Sequence, residues 1–499
     1  MRTTTSFLIL TLVLATGVPV RITAQDAETG PQRREAAQTQ SSESLSPDEI
    51  LGPIREELLA QFDDYLKSPE DYRKRVTREC AVFPEGDLFP YVYPAMAYVN
   101  VALEDPTRQE HCARQARKLI DLAIASVTDR VHPPERRLDQ LTDYRNHATH
   151  LGQLNLALGA LGLISDDHRY DAIHRRVSDV LYEGLVQSRG RPLQSYPQRT
   201  WPFDTIPVLV SLQRYDAGTG GTRSQKLIRE HLAWVRANAT HPDLGLPYSK
   251  VDDATGKAQE LPRGCDISLR LCLLPHIDAL YAREMYAQYV KHHWLDRGML
   301  AGFAEWPNGM KRFEDIDSGP IVMGIGLGAT GLGLGTTIAL DDGERLRRLC
   351  GELRRLEALR RLFSAAQPGA AGIRGSRLLP FQLDDQHVTG FLFGDAMLFY
   401  CITWQSWNVR AQAAHGESRS TAEEIGVLVY RALEATIVLC AAFVFYRMAR
   451  NKQDRYARMR RTLSRALPFL KSDGYYYALS FFLAAFAVAR AVEALVNAI

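Results

Sequence analysis

Apolar helical segments recur along the middle of this chain at a nearly constant interval, and that recurrence limits the folds open to it. Such segments begin near Tyr91, Asp143, Trp201, Asp266, Asp317 and Asp395, at intervals of 52, 58, 65, 51 and 78 residues. The first five are each followed by a more charged partner with a single apolar stripe, over 108–127, 170–187, 224–237, 283–295 and 343–363. The sixth has a weak partner or none before residue 425. A repeat of this length is one supersecondary unit that cannot bury its own apolar face, so neighbours must stack. A helix that is apolar all round belongs inside, and one with a single stripe covers it. Six such hairpins predict an all-α fold, an (α/α)6 toroid over residues 49–420. An open solenoid, serving as a non-catalytic glycan-binding or assembly scaffold, is the competing arrangement.

The two ends of the chain read as an address and an anchor. Arg2 precedes an apolar run from Phe7 to about Val20, shorter than the ~20 residues a membrane span needs. A charged start and a short apolar run predict a secretory signal over 1–25, with Ala24 before the cut. Residues 26–48 are rich in Gln, Glu, Ser and Arg and read as a flexible tether. Near the other end, 425–446 and 475–496 are each apolar and long enough to span a bilayer as a helix. The loop between them, 447–474, carries nine Lys and Arg against Asp454 and Asp473. Dense positive charge in a short loop marks the cytoplasmic side. Both signals place the large domain outside the cytoplasm, held at the cell membrane with the lipid bilayer as a partner.

Lys and Arg number 60 and Asp and Glu 58, a net charge of +2, which argues against a nucleic-acid partner. Of seven cysteines, Cys440 lies in a proposed span and the other six face an oxidising compartment. Cys265 and Cys272, seven apart, would be ~10 Å apart on one helix, beyond disulfide reach. No CxxC occurs. Gly326-x-Gly328-x-x-Gly331 lacks the strand that gives a dinucleotide motif its meaning. His147 and His150 share a helix face, as do Cys272 and His276, without an evident third ligand. No metal and no cofactor is expected.

The starts of the proposed inner helices share a chemistry. Asp143, Asp204, Asp266, Asp317 and Asp395 each lie at or near one. Singly, each reads as an N-cap. Together, in a toroid, they converge on one cavity as candidate catalytic groups. Tyr144, His147, Tyr196, Trp201, Cys265 and Trp306 lie nearby as candidate substrate contacts. Carboxylates in an aromatic cleft suit acid–base work on a sugar: one carboxylic acid protonates a leaving oxygen, and a second carboxylate activates water or attacks. Crowded carboxylates raise one another's pKa, which supplies the acid. The substrate expected on these grounds is a carbohydrate or glycan.

The stretches Tyr196-Pro197-Gln198-Arg199-Thr200-Trp201-Pro202-Phe203-Asp204-Thr205 and Asp315-Ile316-Asp317-Ser318-Gly319-Pro320 resemble bacterial six-hairpin toroid proteins related to linalool dehydratase/isomerase. That group is similar in fold to glucuronyl C5-epimerases and many glycosidases. The resemblance covers roughly 91–407 and implies a second possible activity, a lyase or isomerase acting on a terpenoid alcohol. It transfers no catalytic residue to this chain. The topology is open to a direct check: an epitope inserted after Gly30 should be reached by antibody on intact cells, and one inserted after Lys452 only after permeabilisation. The opposite pattern would invert the orientation.

Overall fold

A mostly apolar helix must be covered by its neighbours, and six such helices stand among the described residues. In the computed structural model, which describes residues 46–252, 255–298, 300–310, 312–365 and 387–407, they are α3 (Phe89–Glu104), α5 (Ala148–Leu161), α7 (Thr205–Thr219), α9 (Gly264–Leu273), α11 (Leu327–Ala339) and α13 (Leu392–Ile402). In α3 every residue from Phe89 to Ala102 is buried. Their partners are α4 (Gln109–Val131), α6 (Asp171–Ser188), α8 (Arg223–Asn238), α10 (Ala279–His293) and α12 (Gly343–Ala365). In α4 the buried residues Cys112, Ala116, Leu119, Ile120, Ala123 and Val127 form one stripe at the three-to-four spacing of a helix covering a core. The fold is all-α. Strand is confined, among the described residues, to three short antiparallel pairs: β1 (Lys250–Val251) with β2 (Ala258–Glu260), β3 (Trp294–Asp296) with β4 (Ala301–Phe303), and β5 (Ile321–Val322) with β6 (Ile325–Gly326).

The apolar helices touch in chain order, α3 to α5, α7, α9, α11 and α13, and α13 returns to α3. This ring belongs to a compact unit of residues 44–352 and 372–411. The sequence leaves the sixth apolar helix without a partner; the structure supplies one from the other end of the unit. Helix α1 (Pro47–Tyr65) packs on α13, with Phe62 stacked on Phe399 at 5.5 Å. Asp63 of α1 accepts hydrogen bonds from Tyr98 of α3 at 2.8 Å and Gln115 of α4 at 2.9 Å. Helix α2 (Pro69–Glu79) follows it. The tether reading ends too late: Ser46 and Glu49 form a reciprocal capping box, so helix begins at Pro47.

The ring is closed at the end where its helices finish. Trp404 donates to the Cys272 carbonyl at 2.7 Å and Trp407 to Asn100 Oδ1 at 2.8 Å. The His276 ring stacks on both tryptophans, at 5.4 and 4.5 Å. Burial drives the His276 pKa down to about 3, so this plug carries a neutral imidazole. The other end of the ring is where the helices start.

No helix among the described residues is long and apolar enough to cross a membrane. The expected signal, the proposed spans 425–446 and 475–496 and the basic loop between them lie outside the described residues.

Helix α5 approaches α7 through Gly152, where an added Cβ would meet Val208 Cγ2 at 2.6 Å and the Val208 nitrogen at 3.3 Å. Alanine is the better helix former by about 0.8–1 kcal/mol, but overpacking of this kind costs about 1–3 kcal/mol. Gly152→Ala should therefore lower the unfolding midpoint. Gly218, near the end of α7 with no atom within 4 Å of an added Cβ, is its counterpart, and Gly218→Ala should raise it. Denaturant unfolding of both variants checks the pair; a stabilising Gly152→Ala would mean the two helices are not in close contact.

Candidate functional site

Two carboxyl groups at the starting end of the ring are set in opposite working ranges. Glu85 lies in the turn 84–87 just before α3, and its carbonyl accepts from the backbone N–H groups of Leu88 and Phe89 at 3.0 and 2.9 Å. A Cβ on Gly86 would sit 1.8 Å from the Cys80 carbonyl oxygen, so only glycine lets the turn pass there. Burial pushes the Glu85 pKa up to about 8; the Tyr196 hydroxyl, which donates to it, opposes the rise, and the charges of Asp204 and Asp317 add to it. Asp204 ends the short turn Pro202–Asp204 that leads into α7. It is buried, which raises its pKa to about 6, against the lowering effect of hydrogen bonds from Ser195 and Thr149. At neutral pH Glu85 thus holds its proton and Asp204 has largely given its proton up.

The residues around them join two smaller groups. Tyr196 packs edge-on against Trp201 at 6.0 Å, His150 at 5.7 Å and His147 at 6.5 Å, and Lys250 stands 5.1 Å over the Trp201 ring. Burial lowers His147 to about 4, aided by the charge of His150, so its ring is neutral. Asp266, in the first turn of α9, accepts from Ser249 at 2.6 Å and pairs with buried Arg270 at 3.0 Å. Its charge reaches Asp204 and raises it. Neighbouring Cys265 donates its thiol to Glu305 at 3.2 Å. Burial, then the charge of Glu305, lifts that thiol well above its ordinary range. It stays protonated and is no thiolate nucleophile at neutral pH. Arg263 binds Glu305 at 2.6 Å and grips Asp315 with two nitrogens at 2.7 and 2.9 Å. Asp315 accepts from the backbone N–H groups of Asp317 and Ser318, which shapes the turn presenting Asp317. Burial, then the charge of Asp315, raises the pKa of Asp317. The charge of Asp317 in turn raises both Cys265 and Glu85.

Seven of the residues singled out in the sequence therefore meet at this end: Asp204, Asp266, Asp317, His147, Tyr196, Trp201 and Cys265. Four do not. Asp143 is exposed and caps its own turn through the Arg145 N–H at 2.7 Å. Tyr144 packs against outer helix α6, where an added Cβ on Gly184 would lie 2.9 Å from its ring. Asp395 is fully buried and spends its oxygens on Thr389, His387 and Gln61, at 2.7–2.8 Å. Trp306 is 1 % exposed, packs on Phe313 and gives its N–H to the Phe313 carbonyl. It has no free face for a substrate. Asp317 also differs from expectation in its setting: it stands in a turn ten residues before α11, not in the helix's first turn.

Glu85 was missed by the sequence reading. Its signal was present, since Glu85 lies four residues before α3, much as Asp143 lies five before α5 and Asp204 one before α7. Glu305 and Arg263 lie in loop and strand-end segments that helical periodicity does not register. No family model matches the chain, and no curated protein matches it.

A carboxyl whose pKa rises on folding holds its proton in the folded state after the unfolded chain has lost it. Its contribution to stability is complete below pH ~4.5 and declines as pH rises toward about 8. Across that window the slope is at most about 1.4 kcal/mol per pH unit. Glu85→Gln, which keeps the shape of the protonated acid, should flatten the fall in stability between pH 5 and 8. Unfolding midpoints measured across that range check this; an unchanged slope would mean Glu85 is not held protonated.

Proposed function

We propose that residues 49–420 form an (α/α)6 toroid of the linalool dehydratase/isomerase-like kind, anchored at the cell membrane with its large domain outside the cytoplasm. In this reading the starting end of the ring is an active site acting on a carbohydrate or glycan by acid–base chemistry. The observation that carries the proposal is the pairing of a protonated Glu85 with a deprotonated Asp204 beside one aromatic wall. Two carboxyls driven apart in pKa by their surroundings mark the acid and the base of a reaction. Glu85 gives its proton to the leaving oxygen, and Asp204 takes one from the attacking water. Tyr196 holds Glu85 in place, and Trp201 offers an aromatic surface to a sugar ring. Asp266 and Asp317 tune the field.

A second reading, a lyase or isomerase acting on a terpenoid alcohol, draws support from the protonated Cys265 thiol hydrogen-bonded to Glu305. A neutral thiol and a carboxyl could move a proton without water.

The test is turnover by the full-length protein against neutral and uronate oligosaccharides and terpenoid alcohols, with products read by mass spectrometry. Glycan turnover should follow a bell, rising near pH 6 as Asp204 ionises and falling near pH 8 as Glu85 does. Glu85→Gln and Asp204→Asn should each lower kcat/KM by about 10²–10⁴-fold. Turnover that survives both substitutions sinks the acid–base reading. Turnover of a terpenoid alcohol that is lost in Cys265→Ala would favour the second.

A further inference from the structure

Two buried thiols that the proposed chemistry does not use meet inside the ring. Cys272 lies on α9 and Cys401 on α13, and both are fully buried. Their sulfur atoms share one acceptor, the Leu332 carbonyl of α11, at 3.8 and 3.9 Å. Gly335, one turn further along α11, holds the space between them: a Cβ there would stand 2.9 Å from Cys272 Sγ and 3.0 Å from both Cα and Cβ of Cys401. With no side chain at Gly335 of α11 to separate them, α9 and α13 bring the two cysteines to the same point of α11.

We propose that Cys272 and Cys401 form a disulfide when the protein folds outside the cytoplasm, tying the fourth inner helix to the sixth. The oxidant is a disulfide of the compartment, a protein or small-molecule one. Its S–S bond breaks and takes up the two thiol hydrogens as two new thiols, while one S–S bond forms between Cys272 and Cys401. Both sulfurs are inaccessible in the finished ring, so exchange takes place before α13 docks against α3. The bond closes a loop of well over a hundred residues, the kind of cross-link that restricts the unfolded chain most. Cysteines in such a compartment are the ones that oxidise, so the inference rests on the outside placement read from the signal and the basic loop. It does not depend on the reaction the site performs.

The experiment uses the full chain, expressed with its own leader and extracted from the membrane fraction in detergent. Free thiols are blocked with N-ethylmaleimide in denaturant, and the protein is digested without reductant. Mass spectrometry should find the Cys272 and Cys401 peptides joined, and separated by dithiothreitol. Reduction should also lower the unfolding temperature, and Cys272→Ala with Cys401→Ala should lower it as much and abolish the reductant effect. Cys350→Ala, at a buried cysteine on α12, should leave the reductant effect intact. Maleimide on both Cys272 and Cys401 in protein from the membrane fraction would overturn the proposal, whatever the variants do. A Cys272 or Cys401 peptide joined to a different cysteine would overturn it equally.

The pair can be separated from the placement. The same chain made without its leader, in a reducing cytosol, should carry maleimide on both residues. A joined pair there would remove the dependence on the compartment and contradict this account of when the bond forms.

Discussion

Six helices among the described residues are mostly apolar and form the inner cycle, which keeps most of their surface from water. Each needs two inner neighbours and an outer cover, which a closed cycle of contacts provides. Burying apolar surface is worth roughly 25 cal/mol per Å², and α3, with its residues from Phe89 to Ala102 buried, shows how completely the arrangement uses it. The cycle needs a sixth cover, and α1 supplies it from the start of the unit. Contacts between α1 and α13 join residues more than 300 apart, so closure waits for nearly the whole unit to be made.

A closed ring has two ends, and the chain treats them differently. Where the helices finish, Trp404, Trp407 and a neutral His276 fill the opening with stacked rings. Where they start, the chain places carboxyl groups with few cations to balance them. Arg270 and Arg263 are committed to Asp266, Glu305 and Asp315. Glu85 draws on the Tyr196 hydroxyl and a backbone hydrogen bond, and Asp204 on hydroxyl donors and the charge of Arg270. Burying an unpaired charge is costly enough that the group keeps its proton instead. The raised pKa of Glu85 is the consequence of that deficit, and the proposed acid function follows from it.

The helices were legible because burial writes its period into the sequence. The five charged partners expected at 108–127, 170–187, 224–237, 283–295 and 343–363 appear at nearly those positions, shifted by a few residues at their ends. The sixth partner was not legible, since it lies at the opposite end of the unit and only tertiary contact pairs α1 with α13. At the site, Asp143 and Asp204 just before α5 and α7, with Asp266 and Asp395 in the first turns of α9 and α13, made a real pattern, but it could not tell a residue pointing into the ring from one capping its own turn. Asp143 and Asp395 have the right spacing and spend their oxygens locally. Glu85 has the same spacing and different letters, and its environment is set by Tyr196, 111 residues away. Trp306 reads as a sugar platform until its burial against Phe313 is seen.

The central claim is that a neutral carboxylic acid stands at the starting end of the ring at physiological pH. Infrared difference spectroscopy of the wild-type protein against Glu85→Gln isolates the carbonyl stretch of that single group. The account predicts a protonated carboxyl band at pH 7 that disappears with a midpoint near 8. A carboxylate signal already complete at pH 6 would contradict it.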